Sequence, residues 1–127
     1  MATFTHTDAV LGNLIASGAV AVSASVSSTL DLRLQLQATV RVDVTYGSVT
    51  AGTFTTVQWF SMPDGTTAPG ANAVPDGQFS VTPVAGATVQ RAFVLPGGEK
   101  YTVLLVNGDG TNAITARASN DLVTGMS

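Results

Sequence analysis

The sequence predicts an all-β protein, an antiparallel β-sandwich of jelly-roll or immunoglobulin-like type with seven to eight strands, on three observations. The first is alternation. Between Leu30 and Tyr46 every even position is apolar, while the odd positions carry Asp, Arg, Gln or Thr, which is the period of a strand with one buried face. The second is composition. Glu99 and Lys100 are the only Glu and Lys, and Val, Thr, Ala, Ser and Gly dominate, a usage that favours strands and turns over helices. The third is punctuation, because short apolar runs are separated by Gly and Pro pairs throughout the second half of the chain.

In chain order, residues 1–17 read as an N-terminal arm or short helix, with Thr7 or Asp8 as a cap over Ala9, Val10, Leu11, Leu14 and Ile15, although Gly12 and Asn13 weaken a helix. Residues 18–127 read as the sandwich domain. Its even-phased pattern begins at Val20, Val22, Ala24 and Val26, pauses at Ser27, Ser28 and Thr29, and resumes at Leu30. A straight strand over 30–46 would reach roughly 55 Å, whereas a chain of this length packs into a diameter of about 36 Å. The strand must therefore bend to serve both sheets, break without a turn residue, or project towards a neighbour. A bend between the sheets is the favoured outcome.

After a loop at 47–52, residues 53–62 read as a strand apolar on both faces, with Phe54 and Phe60 on one and Val57 and Trp59 on the other. Residues 63–75 hold Asp64-Gly65, Pro69-Gly70 and Asn72 and read as a long polar loop. Shorter strands follow around Phe79 and Val81, over 87–95, 101–106 and 113–119, joined by turns at 83–86, 96–98 and 107–110.

Composition also limits function. Charged residues make up 10% of the chain and mean hydropathy is +0.34, so part of the surface is expected to be covered in an assembly. Net charge is −3 and the five cations stand singly, which argues against nucleic acid as a partner. No cysteine is present, so disulfides and thiolate chemistry are excluded. Residues 9–24 are broken by Gly12, Asn13, Ser17 and Gly18 and lack a preceding positive charge, so neither a signal peptide nor a membrane span is expected.

Candidate chemistry is sparse. The single histidine, His6, has no Cys or second His beside it, and the acids are scattered, with Asp64, Asp76 and Asp109 in turns and Asp31 and Asp43 on the polar face of the long strand. Asn107, Asp109, Thr111 and Asn112 space oxygens as a calcium loop would, but the closing bidentate Glu is replaced by Ala118, so an Asx turn is preferred. Gly97-Gly98 lacks the following helix of a phosphate cradle. Trp59, Phe60, Tyr46 and Tyr101 are candidates for sugar stacking, but their strand positions favour packing. We therefore expect no catalytic, cofactor or metal residues and no enzyme.

The run Leu95-Pro-Gly-Gly-Glu-Lys-Tyr101, leading into Val103 and Leu105, resembles the tyrosine corner of fibronectin type III and related immunoglobulin-like domains. That resemblance implies a Tyr101 hydroxyl bonded to backbone upstream. The cysteine-free, Thr/Ala/Val/Gly-rich chain as a whole resembles the small all-β virion proteins of tailed phages, capsid decoration or cement proteins in particular. What this implies is a virion subunit made in the host cytoplasm. It would bind the major capsid protein or another virion protein, self-associate with a trimer favoured, and engage no nucleic acid and no membrane. The alternatives are a tail or head-to-tail connector subunit, and an immunoglobulin-like adhesion or carbohydrate-binding module.

Overall fold

The computed structural model describes residues 4–70 and 72–126, with side chains described for residues 14–70 and 72–123. Among the described residues there are eight strands: β1 (Phe4–Val20), β2 (Ser25–Asp31), β3 (Gln37–Tyr46), β4 (Thr55–Met62), β5 (Gly77–Val81), β6 (Thr88–Pro96), β7 (Lys100–Asn107) and β8 (Ile114–Met126). They form two four-stranded antiparallel sheets, A in the order β1-β8-β3-β6 and B in the order β2-β7-β4-β5. Every connection except the β4–β5 loop crosses from one sheet to the other. This is the double Greek key of a jelly roll rather than the immunoglobulin order.

The alternation read from the sequence positions the core. In β3, Ala38, Val40, Val42, Val44 and Tyr46 point inward, and in β7 Tyr101, Val103, Leu105 and Asn107 do so. Val40, Val44, Val57, Val103 and Leu105 have no exposed surface, so each stabilises the fold by about 1.5–3 kcal/mol through burial. Small side chains at Ala116 and Ala118 of β8 complete the floor of the core.

The N-terminal segment departs from expectation. Residues 1–3 of the expected arm lie outside the described residues, and the remainder is no helix but strand β1, paired with β8 and continuous to Val20. The physical reason is twofold. Gly12, Asn13, Ser17 and Gly18 are poor helix residues, and β8 supplies a ladder for the backbone. Register shifts interrupt β1 between Thr5 and His6, Thr7 and Gly12, Asn13 and Ile15, and Ile15 and Gly18. The third of these leaves Leu14 as an extra residue, so that Leu14 and Ile15 are both buried although adjacent. Two neighbouring apolar residues, which in sequence suggest helical spacing, are in fact a bulge.

The long alternating stretch breaks at 32–36 and serves both sheets. Its first part is β2 in sheet B and its second is β3 in sheet A; Ser27, Ser28 and Thr29, where the pattern pauses, lie inside β2. No Gly or Pro makes this corner. It is clamped from outside by the β6–β7 turn: Gly97 N–H donates to Leu36 O at 2.8 Å, Gly98 N–H to Leu32 O at 2.7 Å, and Leu32 N–H to Glu99 O at 2.9 Å. Leu36 N–H donates to Val123 O of β8 at 2.9 Å. Asp31 assists locally by accepting the Arg33 N–H and pairing with its guanidinium, with Nη2 at 2.6 Å from Oδ2. Those bonds hold the Asp31 carboxyl well below the usual range. The corner inverts the pattern, since Leu32 is fully buried while Leu34 is 91% exposed.

Candidate functional site

The turn residues that could have held an ion are consumed by the fold. Asp109 Oδ1 accepts from Thr50 Oγ1 and from the backbone N–H groups of Thr111 and Asn112, at 2.8–3.1 Å, while Oδ2 accepts from Thr50 N–H and Asn112 Nδ2. Thr50 N–H first, then the Asn112 amide, keeps this carboxyl ionised well below its usual range. Asn107, 2% exposed, donates to Ala21 O and Asn112 O and accepts from Asp109 N–H. Together Asn107 and Asp109 tie the β1–β2, β3–β4 and β7–β8 connections at one end of the sandwich. Among the described residues no three His, Cys, Asp or Glu side chains converge. His6 lies on the β1 backbone, and its side chain is outside the described ones.

The aromatics are divided between two tasks. Tyr101 Oη donates to Pro96 O at 3.0 Å, so the corner that the 95–107 resemblance implies is present, set within a jelly roll. Trp59 stacks on Phe93 at 4.4 Å between ring centroids, and Phe79 meets Phe93 edge-on at 5.6 Å. The indole also lies against its cross-strand neighbour Gly77, where a Cβ would fall 2.1 Å from Cζ2. These rings close the gap between sheets at β4, β5 and β6. Packed against Phe93, Phe79 and Gly77 and only partly exposed, Trp59 serves as a wall of this cluster rather than as an open platform for a sugar ring. The end of its neighbouring loop is tied to β4: Asp76 N–H donates to Trp59 O at 2.8 Å, and Ser61 N–H donates to the Asp76 carboxylate. At the far end of that loop Asp64 accepts Thr66 N–H, Thr67 N–H and Thr67 Oγ1; these bonds, that from the Thr67 hydroxyl above all, lower its pKa to about 2.

What the two sheets present outward differs sharply. The outer face of sheet A carries Arg41 and Asp43 on β3 and Arg117 and Asp121 on β8. Asp43 lies 3.6 Å from Arg41 Nε and 3.5 Å from Arg117 Nη2, and Arg41 Nη2 donates to Gln90 Oε1 of β6 at 2.7 Å. The outer face of sheet B has no charge at its centre. Thr102, Leu104 and Val106 of β7 run along its middle, between Ser25, Ser27 and Thr29 of β2 and Thr56, Gln58 and Phe60 of β4. Asp31 and Lys100, paired in register, mark only its rim. Phe60 and Met62 are buried there yet stand apart from the contiguous core between the sheets. The charges expected along one strand face are thus sorted by the corner at 32–36, with Asp31 and Arg33 left at the corner and Arg41 and Asp43 on sheet A.

The chain matches no family model and no curated protein.

Proposed function

We propose that the protein is a non-enzymatic virion structural subunit of the capsid decoration type, which docks on a shell protein through the outer face of sheet B and leaves sheet A to solvent. The observation that carries this reading is the contrast in charge between the two outer faces. A β-sandwich in free solution gains solubility from charges on both faces, and here the described charges at the centres of the two faces lie on sheet A, sheet B carrying only Asp31 and Lys100 at its rim. An uncharged face of Thr, Ser, Leu and Val can be covered without stranding an unpaired charge. Jelly rolls recur in viral capsid domains, lectins and cupins alike, so the architecture lends only an analogy. The packing of Trp59 and the bonds of Asp76 to Trp59 and Ser61 at the end of the 63–76 loop count against the carbohydrate-binding alternative.

The test is direct. Purified protein mixed with undecorated capsids should bind saturably and stoichiometrically, and Leu104→Lys, at the middle of the face, should weaken binding by roughly 100-fold because a lysine would be buried unpaired. Arg117→Gln, on the opposite sheet, should leave binding unchanged. Absence of saturable binding would overturn the proposal, as would equal effects of the two substitutions. Copy number per particle separates a decoration subunit from a tail or connector subunit.

A further inference from the structure

The sandwich has four edge strands, and three of them are poorly suited to pairing. β1 is interrupted by register shifts at four places, β5 has 5 residues, and β2 has 7, of which Ser25, Ser27, Ser28 and Thr29 are small and polar. β6 is different. Its 9 residues pair with β3 without a single register shift, and Arg91 is its only charged residue. Long, regular edges with so little charge are what sheet proteins ordinarily avoid exposing.

Which backbone groups face outward follows from the bonds at its two ends. Tyr46 N–H donates to Ala87 O and Gly97 N–H donates to Leu36 O, both in step with the β3–β6 ladder. Odd-numbered residues of this stretch therefore bond towards β3, and the N–H and C=O groups of Thr88, Gln90, Ala92 and Val94 point to the free side. Pro96, which has no N–H, falls on the same side and ends the usable edge. The side chains alternate independently of this. Arg91 reaches inward over the Phe79 ring, 4.9 Å from its centroid, while Val94 is outward and 56% exposed.

We propose that this edge pairs antiparallel with the β6 edge of a second copy of the chain, about a two-fold axis through Ala92, joining the two copies of sheet A into one continuous sheet. The register is dictated by the sequence. Centred on Ala92, Gln90 faces Val94 of the other copy, Arg91 faces Phe93, Val89 faces Leu95 and Thr88 faces Pro96, so the whole strand is used with about eight backbone hydrogen bonds. A cation beside an aromatic ring is a favourable cross-strand neighbour. Centring on Arg91 would oppose that charge to itself, and centring on Phe93 would bring Pro96 inward, where it cannot donate to Gln90. Among the registers that keep the outward-facing even residues opposite one another, this one alone pairs 88–96 over its full length, and that self-complementarity commits the edge to a second copy. A two-fold contact closes at a dimer, in place of the trimer that the virion resemblance favoured.

The intact chain should sediment as a concentration-dependent dimer. Register is read by cross-linking, for which the absence of native cysteine leaves a clean background. Across the axis, Cα atoms of residue 92 would lie about 5.5 Å apart, within disulfide reach, and those of residue 90 well beyond it. On mild oxidation Ala92→Cys should form a disulfide dimer at least about tenfold faster than Gln90→Cys, because only residue 92 meets its own copy within bonding distance. Ala92→Lys, whose side chain points to solvent in the monomer, should sediment as a monomer with unchanged Trp59 fluorescence. A monomer at every concentration, a trimer, equal cross-linking of the two cysteine variants, or cross-linking of Ala92→Cys only to a different protein would each overturn the proposal.

Discussion

If the corner at 32–36 is held open by the β6–β7 turn, then Gly97→Ala should be among the most damaging single-methyl additions in the chain. A Cβ at Gly97 would fall 1.9 Å from Gln35 O and 2.6 Å from Leu36 O, both backbone atoms that cannot swing aside as a side chain would. Relief of such overlap through backbone movement costs about 1–3 kcal/mol. The movement must also lengthen the bonds from Gly97 N–H to Leu36 O and from Gly98 N–H to Leu32 O, each contributing about 1 kcal/mol. The sum is about 3–5 kcal/mol, a large share of the stability of a domain this size. Gly98→Ala is the internal control. Its Cβ meets nothing within 4 Å, and only the left-handed φ of 95° opposes it, at about 1–2 kcal/mol. Urea unfolding followed by the single tryptophan measures both at an unchanged m-value. A Gly97→Ala protein no less stable than Gly98→Ala would refute the idea that this turn clamps the crossing between sheets.

The other expectations concern buried hydroxyls, carboxylates and the indole. Tyr46→Phe should cost more than Tyr101→Phe by urea unfolding, about 1–3 against about 1 kcal/mol, because it strands the Thr55 hydroxyl, 1% exposed, whereas Tyr101→Phe releases the carbonyl of Pro96, an exposed residue whose oxygen water can reach. Asp31, Asp64 and Asp109 all have folded pKa values below their unfolded ones, so the stability they contribute is complete above about pH 4 and is lost as pH falls below it. Asp109→Asn should flatten that decline, seen in urea midpoints across pH, and should speed amide exchange at Thr50, Thr111 and Asn112; an unchanged acid limb would sink the assignment. Gly77→Ala should push Trp59 out of its stack with Phe93, shifting emission to the red and lowering stability by about 1–3 kcal/mol.

How much of this was legible in the sequence depends on the range of the interaction concerned. The alternation in 37–46 and 101–106 specified both the strands and their buried faces, because period-two patterning is local and one face is fully enclosed. The turn character of 107–112 was legible for the same reason, since Asp109 bonds mainly within its own loop and to Thr50. The breaking of 30–46 was forced by size, but its position was not. Leu32 to Leu36 continue the alternation without fault, and what turns them is a pair of glycines more than sixty residues later. The strand at 4–20 was missed because its bulges disturb the period of two, and bulges become visible only against a partner strand. The outer faces could not be compared from the sequence, because which strand lies in which sheet is a non-local fact.

The uncharged face of sheet B and the free edge of β6 are compatible in a specific way. A two-fold axis normal to sheet A at Ala92 keeps the outer faces of sheet B from both copies on the same side, so a β6-paired dimer would present two docking faces to one surface. The second face would then bind at the effective concentration set by the first, and a rigid two-fold pair needs no linker to achieve it. Breaking the dimer without touching sheet B should therefore weaken capsid binding even though Ala92 contacts nothing on the shell. We expect Ala92→Lys to reduce apparent affinity for undecorated capsids by at least 100-fold, the lower range for lost bivalency. The oxidised Ala92→Cys dimer, whose partner cannot dissociate, should bind at least as tightly as the unmodified chain. Should Ala92→Lys bind as well as the unmodified chain, docking would be a property of single subunits, and the edge and the face would serve separate ends.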